Sequence, residues 1–106
     1  MRILFDQGTP VPLRDSLAQH SVATAFELGW SLLKNGELLD AAEREGFAVL
    51  VTTDSNLQFQ QNLTSRRISI VALLTTSWPR IQRAIPAVVD AITVAKPGSY
   101  AEVEIP

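Results

Sequence analysis

Residues 48–57 read Ala48-Val49-Leu50-Val51-Thr52-Thr53-Asp54-Ser55-Asn56-Leu57, "AVLVTTDSNL". Four apolar residues run directly into hydroxyls and an acid. A short continuous apolar run bounded by turn-forming residues is the pattern of a strand buried on both faces, so Asp54 falls at the tip of such a strand. The chain opens with the same grammar: "MRILFDQGTP" places Asp6 directly after Ile3-Leu4-Phe5. Two strand-end acids raise the question whether they share a site.

Working outward, Arg2 to Phe5 reads as a buried strand. Thr9-Pro10-Val11-Pro12 is a helix start, with Thr9 the expected cap and the prolines where no intrahelical donor is needed, and the helix should run to about Gln19. His20 to Ala25 is a weaker strand candidate, followed by an irregular stretch bent at Gly29-Trp30. Asn35 reads as the cap of a helix over Gly36 to Glu45, with Leu38, Leu39, Ala41 and Ala42 as its apolar stripe and Gly46 as its stop. After the strand Ala48 to Thr52, a short polar helix is expected from Leu57 to about Leu63, then a third strand over Ile68 to Leu74. Ser77 and Pro79 open the last helix, in which Ile81, Ile85, Val88, Val89 and Ile92 recur at helical spacing and Pro86 should kink or break the run. Residues 96–106, "KPGSYAEVEIP", read as a C-terminal tail that forms either an edge strand or a partner-binding arm.

Strands that alternate with helices and carry continuous apolar runs predict a mainly parallel sheet covered on both faces, a three-layer α/β/α sandwich. At 106 residues, one domain spanning 1–106 is expected. Hydrophobic residues make up 46% and charged residues 19%, the balance of a folded globular chain. The net charge is −2, so any polyanion must be held by a local cluster or by bound metal rather than by an overall basic field. The absence of cysteine excludes disulfides, zinc–thiolate sites and cysteine nucleophiles. With no long apolar run and no signal-peptide pattern, the expectation is a soluble cytoplasmic protein with no membrane partner.

In a parallel sheet, ligands bind beyond the carboxyl ends of the strands, where the direction of the connections reverses. Parallel strands bring Asp6, Asp54 and the Thr75-Thr76-Ser77 run to one rim. Carboxylates that converge repel one another unless a cation or a shared proton intervenes. Hard oxygen ligands favour Mg2+ or Mn2+, ions that activate water and clamp phosphate oxygens. Glu37, in the first turn of the middle helix, is the expected third ligand, with Asp40 its rival one turn on.

The ordered set "ILFDQGTP", "KNGELLDAAEREGF" and "VLVTTDSNLQ" resembles the short bacterial PIN-like domain family of toxin-like ribonucleases, over roughly Met1 to Thr93. The resemblance implies a carboxylate cluster that binds magnesium or manganese, and often an antitoxin encoded next door. Asp6 matches the acid after the first strand and Asp54 the acid after the later one. Where the family usually has a second acid beside the first, this chain has Gln7. Where it has an acid opening the middle helix, this chain has Asn35, leaving Glu37 to stand in. Gln7 and Asn35 can coordinate through carbonyl oxygens or orient water, but each removes one negative charge from the site.

The reading that follows is a metal-dependent endoribonuclease, a hydrolase of RNA phosphodiesters and the toxin component of a toxin–antitoxin pair. Asp6, Asp54 and Glu37 are its catalytic and metal-binding residues. Lys34, Arg66 and Arg67 are its phosphate contacts, and Gln7, Asn35 and Asn56 complete the substrate-binding set. An antitoxin and a homodimer are the protein partners in view. The alternative is a catalytically weak or inactive PIN-like module that binds protein, which would account for Gln7, Asn35 and the acidic balance.

Overall fold

The computed structural model of the protein describes residues 1–55 and 63–106, with Asn35 described through its backbone alone. Five strands form one sheet: β1 (Arg2–Phe5), β2 (Ser21–Thr24), β3 (Val49–Thr52), β4 (Ser69–Leu73) and β5 (Tyr100–Val103). Their spatial order is β2-β1-β3-β4-β5 and every pairing is parallel. Between them run a 3₁₀ helix (Val11–Leu17), α1 (Asn35–Arg44), a 3₁₀ turn (Leu63–Ser65), α2 (Trp78–Gln82) and α3 (Ile85–Thr93).

The strands alternate their side chains between two cores, and this builds the three layers. Ile3, Phe5, Val49, Val51, Val71 and Leu73 meet Leu13 and Leu17 of the 3₁₀ helix and Ile81, Val88 and Ile92 of α2 and α3. On the other face Leu4, Leu50 and Ile70 meet Leu38, Leu39 and Ala42 of α1, together with Phe47. All of β3 and β4 is buried, as the unbroken apolar runs require. The α1 connection and the α2–α3 connection step in the same direction along the sheet but cross opposite faces. They are therefore of opposite hand, and one of them departs from the right-handed rule for parallel crossovers.

Gly46 does stop α1. Its φ of 80° turns the chain, its amide donates to Glu43 O at 3.1 Å, and the amide of the buried Phe47 donates to Ala42 O at 2.9 Å. Pro86 does break the last helical run: α2 ends at Gln82, and Pro86 falls in the first turn of α3, where its missing amide hydrogen has no partner to lose.

Three expected caps differ. The residue in the cap position of the first helix is Pro10, because the Thr9 hydroxyl turns to the sheet instead, and the helix is 3₁₀ rather than α. Lys34 occupies the cap position of α1, and Asn35 is its first helical residue. Ser77 takes the cap position of α2 without a capping side-chain bond. The polar helix expected from Leu57 to Leu63 lies outside the described residues but for Leu63, where a 3₁₀ turn begins. Among the described residues no helix is long and apolar enough to cross a membrane.

Candidate active site

The connections from β1 run to one side of the sheet and those from β3 to the other, so the crevice between these two strands opens beyond their carboxyl ends. Register makes the two ends level: Phe5 lies opposite Val51, which brings Asp6 beside Thr52. The Asp6 amide extends the ladder by one bond, to Val51 O at 3.2 Å.

Asp6 is half-buried, and hydroxyls hold both of its oxygens. Thr52 donates to Oδ2 in a short bond, and the Thr9 hydroxyl lies 2.8 Å from Oδ1. The Thr9 hydroxyl is equally close, 2.8 Å, to Val51 O, so its single proton faces two acceptors. Burial pushes the Asp6 carboxyl above the usual carboxylate range, against the opposing pull of the Thr52 and Thr9 hydroxyls and the Gly8 and Thr9 amides. Among the described residues no ion pair reaches Asp6.

Thr52 is the hinge of the arrangement. Fully buried, it gives its proton to Asp6 and accepts the Asp54 amide at 3.0 Å, so one oxygen ties the first acid to the backbone of the second. Asp54 itself is exposed. Both acids line one cleft of about 300 Å³, together with Gln7, Trp30 and Lys34. Trp30 serves two purposes: its ring meets Phe47 edge-on at 6.1 Å and 77°, and it also forms part of the cleft wall.

The remaining sequence-predicted residues divide. Gln7 and Lys34 reach the cleft. Glu37 does not line it: Leu38 and Leu39 face the sheet, so the neighbouring Glu37 turns to solvent. Among the described residues no group of three or more acidic, histidine or cysteine side chains is arranged to hold a metal. Asp40, the rival ligand, pairs with Arg66 at 2.8 Å. Arg66 and Arg67 precede β4 and so lie at the amino edge of the sheet, away from the cleft; Arg66 also pairs with Glu43 at 2.6 Å, and the Arg67 amide donates to Glu43 Oε2 at 2.8 Å. Thr75, past β4, accepts the Ser77 amide at 3.1 Å as a turn former. Asn56 and the side chain of Asn35 lie outside the described residues.

Sequence reasoning missed five contributors. Thr9 reads as a cap and Thr52 as the last residue of a strand, because a hydroxyl's partner across strands is invisible before register is known. Gly8 was unremarked; a β-carbon there would strike the Thr53 hydroxyl, so glycine lets the β1 loop close on the β3 loop. Tyr100 and Glu102 lie on one face of β5, as their spacing of two signals. The Tyr100 hydroxyl lies 3.1 Å from Ser55 O and 3.0 Å from Glu102 Oε2. Burial first, then the Glu102 bond and the charges of Glu102 and Asp54, push this phenol up to about 12.

Comparison with protein-family models, with curated proteins and with solved structures finds no match to this chain.

Proposed function

We propose that the cleft is the active site of a metal-dependent endoribonuclease that hydrolyses single-stranded RNA. The observation that carries this reading is the Thr52 bridge, which holds Asp6 and the Asp54 backbone at one topological switch point. A half-buried carboxylate with hydroxyl partners and no ion pair among the described residues is an unfinished electrostatic arrangement.

The donors fit a hard cation. Asp6, Asp54 and the Gln7 carbonyl are all oxygen ligands, and two carboxylates suffice for magnesium, which keeps several waters. When bound, such an ion supplies an acidified water and neutralises phosphate oxygens. The chain's own part is positional. Thr9 and Thr52 fix the rotamer of Asp6, so that residue needs no reordering when it takes up a ligand. Lys34, at the mouth of the cleft, brings a cation to the phosphate that follows or precedes the scissile bond. The open rim accepts a splayed strand more readily than a duplex. In the PIN-like reading the natural protein partner is an antitoxin.

Glu37 favours a second reading. Because it turns away, the cleft has two acids rather than three among the described residues, which suits a weak enzyme or a module that binds protein. Cleavage of mixed-sequence RNA in magnesium or manganese, with EDTA controls and an Asp54→Asn variant, separates the two. The nuclease reading expects metal-dependent cleavage that Asp54→Asn reduces by about 100-fold, the worth of roughly 3 kcal/mol of lost charge stabilisation. Cleavage that persists in EDTA, or an Asp54→Asn protein as active as wild type, removes it.

A further inference from the structure

We propose that the groove beside the cleft, on the β2 side of Asp6, is a stacking subsite for one nucleobase of the RNA strand, with Phe26 as its platform. The inference rests on the nuclease reading for the identity of the strand and adds the means by which an acidic protein would hold it.

The groove encloses about 400 Å³, and Asp6 and Gln7 line both it and the cleft. The two spaces therefore meet at the carboxylate site, and a strand crossing Asp6 has its next residue at the groove. Phe26 lines the far side and is 77% exposed, the one aromatic left in the open among the described residues. The exposure is built in. Phe26 rides on a turn in which the Thr24 amide donates to Glu27 Oε1 at 2.9 Å and the Glu27 amide donates to the Thr24 hydroxyl at 3.0 Å. Arg14 clamps the Glu27 carboxylate with both guanidinium nitrogens, which also draws that carboxyl below its usual range. An exposed ring on a braced turn is a partly preorganised platform, since the backbone beneath it needs no ordering on binding and only the ring itself has to be fixed.

The chemistry of the walls selects the occupant. A planar π-face and the Gln7 amide, which has no hydrogen-bond partner among the described residues, match a flat ring with donors and acceptors on its edge. The space takes a ring and its sugar but not a helix. Electrostatics points the same way. With a net charge of −2 and Arg66 and Arg67 at the opposite edge, phosphate attraction is confined to Lys34 and a bound ion, and stacking adds the affinity that a basic field would otherwise bring.

The test is fluorescence anisotropy with a short labelled single-stranded oligoribonucleotide and an abasic strand of equal length. Both are titrated with the full chain in magnesium and in EDTA, with cleavage followed in parallel. Phe26→Ala is expected to weaken the base-bearing strand about tenfold or more and to leave the abasic strand unchanged, while Phe26→Trp keeps wild-type affinity. Leu32→Ala, which alters an exposed leucine outside the groove, is expected to bind as wild type. Equal affinity of wild type for both strands, or a Phe26→Ala protein that binds as wild type, overturns the subsite while leaving metal-dependent cleavage standing. Phe26-dependent binding without metal-dependent cleavage keeps the subsite and removes the catalytic reading. No binding of either strand removes both. Loss of self-association in Phe26→Ala, measured by sedimentation, with RNA affinity unchanged, assigns the groove to a second copy of the chain and overturns the proposal.

Discussion

The two edges of the sheet treat charge in opposite ways. At the amino edge, Arg66 lies between Asp40 and Glu43, its side chain only 16% exposed, and the Arg67 amide completes the coordination of Glu43. At the carboxyl edge, Asp6 is half-buried with hydroxyls for company and no countercharge among the described residues. A charge surrounded by its counterions is finished and serves the fold. A carboxylate kept in a desolvated, neutral-donor setting costs stability and is kept where something else will complete it. The same residue types therefore mean different things at the two edges, and only the pairing distinguishes them.

A reciprocal pair of substitutions would break this contrast most severely. Asp6→Asn should reduce metal-dependent RNA cleavage by about 100-fold or more, with no loss of melting temperature. Arg66→Met should leave cleavage unchanged and destabilise the fold by about 2 kcal/mol, between the small worth of a surface pair and the cost of a buried charge left alone. Initial rates and urea midpoints on the same samples decide it. An Arg66→Met protein that folds but cannot cleave would return the amino edge to the functional site.

Titration offers a second, smaller contrast, because the two edges should respond to pH with opposite sign. Burial works to raise the Glu43 carboxyl, but the Arg67 amide and the Arg66 guanidinium together hold it below its usual value of 4.5. Its contribution is present above that value and is lost as pH falls through the folded one. Asp6 is raised above 3.8, so the native state holds the proton more tightly than the unfolded chain does. Its contribution is full below 3.8 and is lost as pH rises through the folded value. Asp6→Asn should therefore raise the melting temperature of the metal-free protein at neutral pH, and the gain should vanish in acid. A gain that grows as pH falls would contradict the burial of Asp6.

How far the sequence carries this contrast depends on range. Buried apolar runs and proline and glycine signals are local, and they predict β1, β3, β4, the stop at Gly46 and the break at Pro86. The rim position of Asp6 and Asp54 follows from parallel strands alone. Whether Arg66 faces phosphate or Glu43 depends on α1 packing across the sheet, and nothing near Arg66 in sequence reveals it. Thr9 illustrates the competition: its local option was to cap a helix, but the Val51 carbonyl and the Asp6 carboxylate, brought close by register, took the hydroxyl instead. Glu37 failed for a different reason. The existence of its helix is legible, one residue out at each end, but the same small rotation decides whether a side chain faces the sheet or the solvent, and the buried Leu38 and Leu39 decide it outward.

The gentlest probe adds charge to the open edge instead of removing it. Gln7 lines the cleft next to Asp6, so Gln7→Glu places a third carboxylate at the rim without disturbing the buried core. The new charge is exposed and partly screened, so its attraction for a divalent ion is worth about 1 kcal/mol, roughly a fivefold gain in affinity. Its repulsion of Asp6 acts in the metal-free protein and should slightly lower the melting temperature there, with magnesium or manganese reversing the loss. Calorimetric titration of wild type and Gln7→Glu with each ion, beside melting curves with and without it, reads both effects. Tighter binding with a metal-reversible loss of stability makes the carboxyl edge a cation site short of one acid. A variant that loses stability but gains no affinity leaves Asp6 and Asp54 as two acids near each other with no ion between them, and the second reading, a module that binds protein, then accounts better for the cleft.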